Sequence, residues 1–254
     1  MKKIKLSLVS YLNTFPFLYG IEKSGFINPE WIEIVLETPS QCAKSILSGS
    51  SDVGLLPIGA YLTTDQSKFE VITDYCLGAE NEVKSVLLLS DIPLEKIKTI
   101  CLDSQSRTSN LLVQVLAHEY WNLSAEFISS EEKVTNVEVA KLLIGDRALE
   151  KRNHFRYSYD LAKEWFDFTS LPFVFALWVA KKEIAGRIED ALNKSIKFSE
   201  DKISELLHYY NFPNVITFEE AYAYLTRDMS YSLTHKKKEA IERFSNLVVK
   251  NNLV

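Results

Sequence analysis

The chain has 254 residues, which suits one large domain or two smaller lobes, and 46% of them are hydrophobic, so a packed core is expected and broad disorder is excluded. Its net charge of -5 argues against a nucleic-acid-binding protein, because such a protein needs a basic stripe to displace counterions from phosphates. No apolar run approaches the roughly 20 residues of a membrane span.

Short apolar runs alternate with helical patterns over about the first 130 residues. Three helices are predicted: the first is ended by Gly25, the second begins at the candidate N-cap Ser40 and stops at Gly49, and the third spans residues 106–121. The predicted strands are "IKLSLVS", "WIEIVLE", "DVGLLP", "FEVITDYC", "VKSVLLLS", "KTICLD" and "AEFISS". This alternation predicts an α/β fold with mostly parallel sheets.

The apolar run Leu171–Ala180 follows a polar, aromatic-rich stretch and predicts a buried strand. From Lys182 onward the pattern is helical, so the tail cannot form its own sheet and should pack on an earlier lobe. We therefore expect a discontinuous first lobe, residues 1–89 plus 175–254, a second lobe, residues 90–174, and a ligand cleft between them.

Two strand ends carry candidate anion sites, because the free N–H groups of a helix start favour negative charge. Asn13 and Thr14 follow the first strand, and Asn13 offers both a donor and an acceptor. The alternative, that Asn13 merely caps the helix, is weighed equally.

The second candidate anion site combines hydroxyls and a guanidinium at the start of the third helix. It consists of Ser106, Arg107, Thr108 and Ser109 in "LDSQSRTSNLL". The alternative is an ordinary N-cap at Ser106 or Thr108, with Arg107 an exposed cation. We favour binding, because an arginine at a helix N-terminus is otherwise unfavourable. A ligand with two carboxylates could then bridge the two lobes.

Few other side chains suggest chemistry. Ser85 lies inside an apolar strand pattern, where its hydroxyl needs a partner, and Asp146 in "IGDRAL" is a candidate either for ligand contact or for a cap. Tyr157, Tyr159 and Trp165 could wall an aromatic ligand, although packing is the default reading.

Known catalytic and metal motifs are missing from the sequence. The three cysteines lack CxxC spacing, so reduced and buried thiols are expected, and the four histidines have no metal-binding spacing. There is also no P-loop, GxGxxG or GxSxG motif. Polar residues interrupt the apolar start of the chain, so no export signal is predicted and a cytoplasmic location is expected.

Six collinear segments resemble the chorismate dehydratases, the enzymes that open the futalosine route to menaquinone. They are "SYLNTFPF", "GSSDVGLLPIGAY", "DYCLGAENEVKSVLLLS", "LDSQSRTSNLL", "IGDRAL" and "YDLAKEWFDFTSLPFVFALW". The resemblance ends near residue 180. Ala162 and Ser170 stand where this family is expected to have glycine, which puts local backbone geometry in doubt.

The resemblance implies a two-lobed fold similar to type II periplasmic binding proteins, with mixed sheets flanked by helices. It also implies dehydration of the dicarboxylate chorismate to 3-[(1-carboxyvinyl)oxy]benzoate, without a cofactor or metal. Asn13 and Ser85 are the expected catalytic residues. The expected substrate-binding residues are Thr14, Ser106, Arg107, Thr108, Ser109 and Asp146.

No protein base stands out in these segments. We therefore hypothesise that the enolpyruvyl carboxylate of the substrate takes the ring proton. Two other functions stay open: a 1,4-dihydroxy-6-naphthoate synthase of similar architecture, and a non-catalytic solute receptor of the same fold. No nucleic-acid or membrane partner is expected, and the oligomeric state cannot be read from the sequence.

Overall fold

The computed structural model describes residues 3–129, 138–212 and 216–253. Its strands form two sheets, as the predicted α/β fold requires. The six-stranded sheet has the order β11-β4-β10-β3-β1-β2. Its strands are β1 Ile4–Val9, β2 Ile32–Glu37, β3 Val53–Pro57, β4 Phe69–Ala79, β10 Phe173–Lys181 and β11 Ser230–Ser232.

The second sheet has five strands in the order β7-β6-β8-β5-β9. These strands are β5 Val86–Ser90, β6 Thr99–Leu102, β7 Glu126–Ser129, β8 Val139–Ile144 and β9 Tyr157–Asp160. The predicted strand "AEFISS" ends at Ser130, and Ser130 lies outside the described residues. The chain crosses between the sheets at residues 80–85 and at residues 161–172.

Both sheets are mixed. Among the described strands, β1 pairs in parallel with β2 and β3, and β6 with β7 and β8, whereas the remaining pairings are antiparallel. The expectation of mostly parallel sheets, drawn from strand–helix alternation, is therefore wrong. The cause is that β5 and β10 each follow a strand of the other sheet, so neither is placed by the helical crossover within one sheet that makes neighbouring strands parallel.

Helices cover the two sheets. They are α1 Phe15–Lys23, α2 Pro39–Leu47, α3 Ile58–Tyr61, α4 Arg107–Glu119, α5 Asp146–Lys151, α6 Leu161–Thr169, α7 Lys182–Ser199, α8 Ile203–Tyr209, α9 Phe218–Ala223 and α10 His235–Lys250. None of the helices in the described part of the chain is long and apolar enough to cross a bilayer. The N-cap of α2 is Thr38 rather than Ser40, because Thr38 forms a reciprocal capping box with Gln41.

The apolar run before the tail forms β10, which lies inside the six-stranded sheet between β3 and β4. Trp178, Val179 and Ala180 are completely buried there. A strand covered on both faces tolerates no polar alternation, which explains the uninterrupted apolar sequence. The predicted return of the chain to the first sheet is confirmed by these pairings.

The strand pairing differs from the predicted lobe boundary at residue 89. That boundary would cut through β5, yet all five residues of β5 pair with β8 in the second sheet. Likewise, β10 begins at Phe173, before the predicted boundary at residue 174. The lobe boundaries themselves stay a prediction.

The tail is mostly helical, but it also supplies β11, which pairs with β4 at an edge of the six-stranded sheet. The Lys236–Lys238 run in the first turn of α10 is solvated only in part. Lys236 and Lys238 are exposed, whereas the Lys237 side chain is fully buried. Its ammonium group donates to the carbonyl oxygens of Ser230 and Ser232, both at 2.9 Å.

Candidate functional site

A cleft lies between the two sheets and receives residues from both. The space between its lining atoms, counted together with the open solvent at its mouth, is about 520 Å³. Its lining residues are Val9, Tyr11, Asn13, Pro39, Pro57, Leu77, Val83, Ser85, Val86, Ser106, Thr108, Ser109, Ile144, Gly145, Phe175 and Ala176. Within the described ranges, this lining contains hydroxyls and an amide but no charged side chain.

Asn13 enters the cleft from a 3-10 turn directly after β1. Its backbone carbonyl accepts a hydrogen bond from the Tyr231 hydroxyl at 3.1 Å, which holds the turn against the tail. Its side-chain Oδ1 is buried and has no hydrogen-bond partner among the described residues. A buried acceptor left unpaired costs about 1–3 kcal/mol, so a donor on a bound ligand would relieve this cost.

Ser85 lies in the crossing that precedes β5, and it also lines the cleft. Its Oγ accepts a hydrogen bond of 2.8 Å from the hydroxyl of Tyr224, and its carbonyl accepts one of 2.8 Å from the Gly145 amide. Burial raises the pKa of Tyr224 above its usual range, so the phenol stays protonated. The partner that the Ser85 hydroxyl was expected to need is therefore Tyr224, in the part of the chain that carries no recognisable motif.

The start of α4 supplies the hydroxyls on the other side of the cleft. Ser106 is the N-cap, since its Oγ accepts from the Ser109 amide at 3.1 Å and lies 2.9 Å from the Ser109 hydroxyl. Thr108 accepts from the Gly59 amide at 3.0 Å and donates to the Phe175 carbonyl at 3.3 Å. These two bonds join α4 to the other sheet, so the Thr108 hydroxyl is already engaged.

Three predicted binding residues do not line the cleft. Arg107 is exposed on the first turn of α4. The Thr14 hydroxyl donates to the carbonyls of Val9 and Tyr11 and so stabilises the turn that holds the neighbouring asparagine. Asp146 accepts from the Leu12 amide at 3.2 Å, and burial raises its pKa. Their roles in substrate binding stay a prediction.

A second arginine, Arg147, interacts with Tyr11 of the cleft lining, and sequence reasoning missed it. The Arg147 guanidinium donates to both carboxylate oxygens of Asp103, at 2.9 and 2.8 Å. Its Nε is buried and lacks a partner within the part of the chain that the structure describes. The sequence did contain a signal for Arg147, because it directly follows Asp146 in the segment "IGDRAL".

Tyr11 closes one wall of the cleft. Its hydroxyl donates to the Gln105 side chain, and burial raises its pKa to about 12. Its ring packs so closely on Gly145 that a Cβ there would lie 2.6 Å from a ring carbon. Since Tyr11 follows β1 whereas Gln105 and Gly145 follow strands of the other sheet, these contacts join the two halves across the cleft.

The predicted aromatic wall is elsewhere. Tyr157, Tyr159 and Trp165 do not line the cleft, and Trp165 is fully buried, with its indole N–H donating to the Pro172 carbonyl at 3.0 Å. Packing, the default reading of these residues, explains Trp165. Tyr11 and Phe175 supply the aromatic rings of the cleft instead.

No group of three or more His, Cys, Asp and Glu side chains is placed to hold a metal ion in residues 3–129, 138–212 and 216–253. All three cysteines are buried, and none of them forms a disulfide. Burial raises the pKa of Cys42 to about 12 and of Cys76 to about 11, which suppresses their thiolate forms.

Solved structures share this architecture. A protein from Archaeoglobus fulgidus superposes with a TM-score of 0.77 at 16% identity, covering 99% of this chain and 98% of that one. The alkanesulfonate-binding protein of Xanthomonas axonopodis pv. citri, bound to MOPS, gives a TM-score of 0.68 at 16% identity over 100% of this chain and 94% of that one. A Candida albicans protein described as having the generic periplasmic-binding-protein fold gives 0.61 at 13% identity, over 98% and 94%. The predicted periplasmic-binding-protein-like fold is confirmed.

Two curated relatives are similar in sequence, and both are chorismate dehydratases. The protein from Thermus thermophilus is 26% identical over 209 residues, 72% of each chain. The one from Campylobacter jejuni is 26% identical over 248 residues, 93% of each chain. A family model described as menaquinone biosynthesis matches residues 4–250. The chain therefore belongs to the menaquinone biosynthesis family of proteins.

Proposed function

We propose that this chain is a chorismate dehydratase, a lyase that removes water from chorismate to give 3-[(1-carboxyvinyl)oxy]benzoate in the first step of the futalosine route to menaquinone. The observation that carries the proposal is the match over 93% of the chain to a curated chorismate dehydratase. The cleft is consistent with it, because it combines apolar walls for a six-membered ring with hydroxyl and amide groups for oxygen substituents.

The uncharged lining bears on how the ring proton leaves. With no carboxylate or imidazole among the described lining residues, the substrate's own enolpyruvyl carboxylate is the base we propose. It takes the ring proton, the electrons of that C–H bond enter the ring, and the C–O bond of the leaving hydroxyl breaks. Water forms when the departing hydroxide takes that proton from the enolpyruvyl carboxyl group, which restores the carboxylate, and aromatisation of the ring supplies the driving force.

Asn13 and Ser85 would act by orientation. The unpaired Oδ1 of Asn13 can accept from a substrate hydroxyl or a protonated carboxyl, while its amide N–H₂ can donate to a carboxylate. Ser85 can donate to an oxygen of the same ligand. Fixing the carboxylate against the C–H bond converts the proton transfer into an aligned intramolecular step, which is a large source of acceleration.

Ser106 and Ser109, at the start of α4, would bind a substrate carboxylate from the side opposite Asn13. Two hydroxyls at a helix N-terminus favour an anion without a buried cation. Contacts that already join the two halves, such as Tyr11 to Gln105, would exclude water from the reaction. We also propose that the two sheets are the cores of two lobes that close on the substrate.

A turnover assay tests the activity directly. Incubation of the purified chain with chorismate should yield 3-[(1-carboxyvinyl)oxy]benzoate, seen as a new aromatic absorbance and a mass lower by one water. A solute receptor would bind chorismate and release it unchanged. A 1,4-dihydroxy-6-naphthoate synthase would leave chorismate untouched. Either outcome would reject the proposal. A cytoplasmic location stays a prediction.

Replacement of Asn13 tests the mechanism. Asn13→Ala should lower kcat by about 100-fold or more, the usual effect of losing a preorganised polar contact to the reacting group. Asn246→Ala, an exposed asparagine on α10, is the matched control and should retain full turnover. Near-normal kcat for Asn13→Ala would remove Asn13 from the mechanism.

A further inference from the structure

Tyr224 lies directly behind the cleft, in the C-terminal third of the chain. Its side chain is 3% exposed, and it is not among the residues that line the cleft. Its hydroxyl nevertheless reaches Ser85 Oγ at 2.8 Å through a fully buried hydrogen bond. The Asn13 amide is also near enough to oppose the rise in the pKa of Tyr224. One phenol thus adjoins both expected catalytic side chains.

The direction of this hydrogen bond constrains the Ser85 proton. Burial keeps the phenol protonated, and its proton is donated to Ser85 Oγ. A serine hydroxyl has one proton of its own, and among the described residues Ser85 Oγ forms no hydrogen bond in which it donates that proton. Because Ser85 lines the cleft, the direction left for its proton is toward a bound molecule.

A second contact fixes the same pair of segments. Tyr224 and Asp228 are the ends of a π-helical turn, Tyr224–Asp228. Asp228 forms an ion pair of 3.1 Å with Lys84, the residue before Ser85, and Lys84 has a left-handed backbone with φ of 62°. Two consecutive residues of the crossing are therefore bonded to the two ends of one turn, which sets the position of the serine relative to the phenol.

We propose that Tyr224 is a positioning residue for Ser85: by occupying an acceptor site on Oγ, it directs the serine proton into the cleft, toward an oxygen of the substrate. This inference rests on the proposed dehydration of chorismate. Through Tyr224, the C-terminal tail, which lies beyond the segments that carry the family resemblance, has a defined part in the reaction.

A double-mutant cycle tests this role in the full chain. Tyr224→Phe removes only the hydroxyl and should lower kcat/KM for chorismate by about 5- to 10-fold, mainly through kcat. In the Ser85→Ala background the same replacement should change kcat/KM by less than about 2-fold, because the group that Tyr224 positions is gone. Tyr222→Phe, an exposed tyrosine on α9, is the matched control and should have the activity of the unmodified chain.

Each outcome decides one of the two claims. An equal loss from Tyr224→Phe in both backgrounds would mean that Tyr224 acts independently of Ser85. Full activity of Tyr224→Phe would remove Tyr224 from the reaction. Either result overturns this inference and leaves the proposed function standing. If Ser85→Ala turns over too slowly for a steady-state assay, the same cycle is read from single-turnover rates, with enzyme in excess over chorismate and a longer incubation. Absence of turnover in the unmodified chain would instead overturn the proposed function, and this inference with it.

Discussion

Replacing Lys237 should destabilise the protein far more than replacing either neighbouring lysine. Its ammonium group is fully buried and donates to the carbonyls of Ser230 and Ser232 and to the Ser230 hydroxyl at 2.7 Å. It also lies 3.4 Å from Glu80, at the crossing between the sheets. These contacts hold β11 and α10 together at the edge of the sheet.

The expected magnitude follows from these contacts. Lys237→Met retains most of the side-chain volume and removes the charge, so it also removes the desolvation penalty of several kcal/mol that burial of an ion carries. The loss is in the acceptors: two carbonyl groups without a donor cost about 1–3 kcal/mol each. We expect the free energy of unfolding to fall by about 3 kcal/mol, which lowers the thermal midpoint by about 6–12 °C for a chain of this size.

Urea unfolding followed by circular dichroism measures this difference. Lys236→Met and Lys238→Met are matched controls on the same turn of α10, and because both side chains are exposed they should change stability by no more than about 0.5 kcal/mol. If Lys237→Met falls within that same range, the reasoning from buried hydrogen bonds is refuted.

Three further predictions concern particular residues. Ser170 ends α6 in the left-handed region, with φ of 58°, so Ser170→Gly should raise the free energy of unfolding by about 0.5–1 kcal/mol; a decrease in urea unfolding would contradict this. Gly145 has φ of 60° and lies against the ring of Tyr11, so Gly145→Ala should lower the free energy of unfolding by about 2 kcal/mol and reduce turnover. Gly186 has nothing within 4 Å of an added Cβ, so Gly186→Ala should raise the free energy of unfolding by up to about 1 kcal/mol. Equal effects of the two alanines would count against the close contact. Burial raises the pKa of Cys42 to about 12, so its thiolate fraction at pH 8 is about a thousandfold below that of a free thiol. Iodoacetamide should therefore label the peptide that contains Cys42 only after denaturation. Rapid labelling of the native chain would contradict this.

Local sequence patterns predicted most strands and helices, because hydrophobic periodicity and capping chemistry act within a few residues. They were less reliable where two local solutions compete. Thr38 and Ser40 are both good N-cap residues, and the capping box with Gln41 selects Thr38. The expectation of glycine at residue 170 also has a structural reason, because Ser170 adopts the left-handed backbone conformation that favours glycine.

The candidate site was predictable in part. Asn13, Ser85, Ser106, Thr108 and Ser109 were proposed from strand ends and from the resemblance, and the fold brings all of them to one cleft. No local pattern could show which of Arg107 and Arg147 is held by the fold. Arg107 is exposed, whereas the Arg147 guanidinium donates to the carboxylate of Asp103, and both facts depend on tertiary contacts. Tyr224 was missed because its partner is 139 residues away in the chain.

The sequence by itself determined the class of the fold, the buried return strand and the family resemblance, since each depends on residue order and short-range periodicity. Tertiary structure alone decided which member of a run of similar residues is buried, as with Lys237 among three lysines, and which distant side chain completes a site. The physical reason is that burial and long-range hydrogen bonds depend on what packs against a residue, and the packing partner can come from a distant part of the chain, as Glu80 does for Lys237.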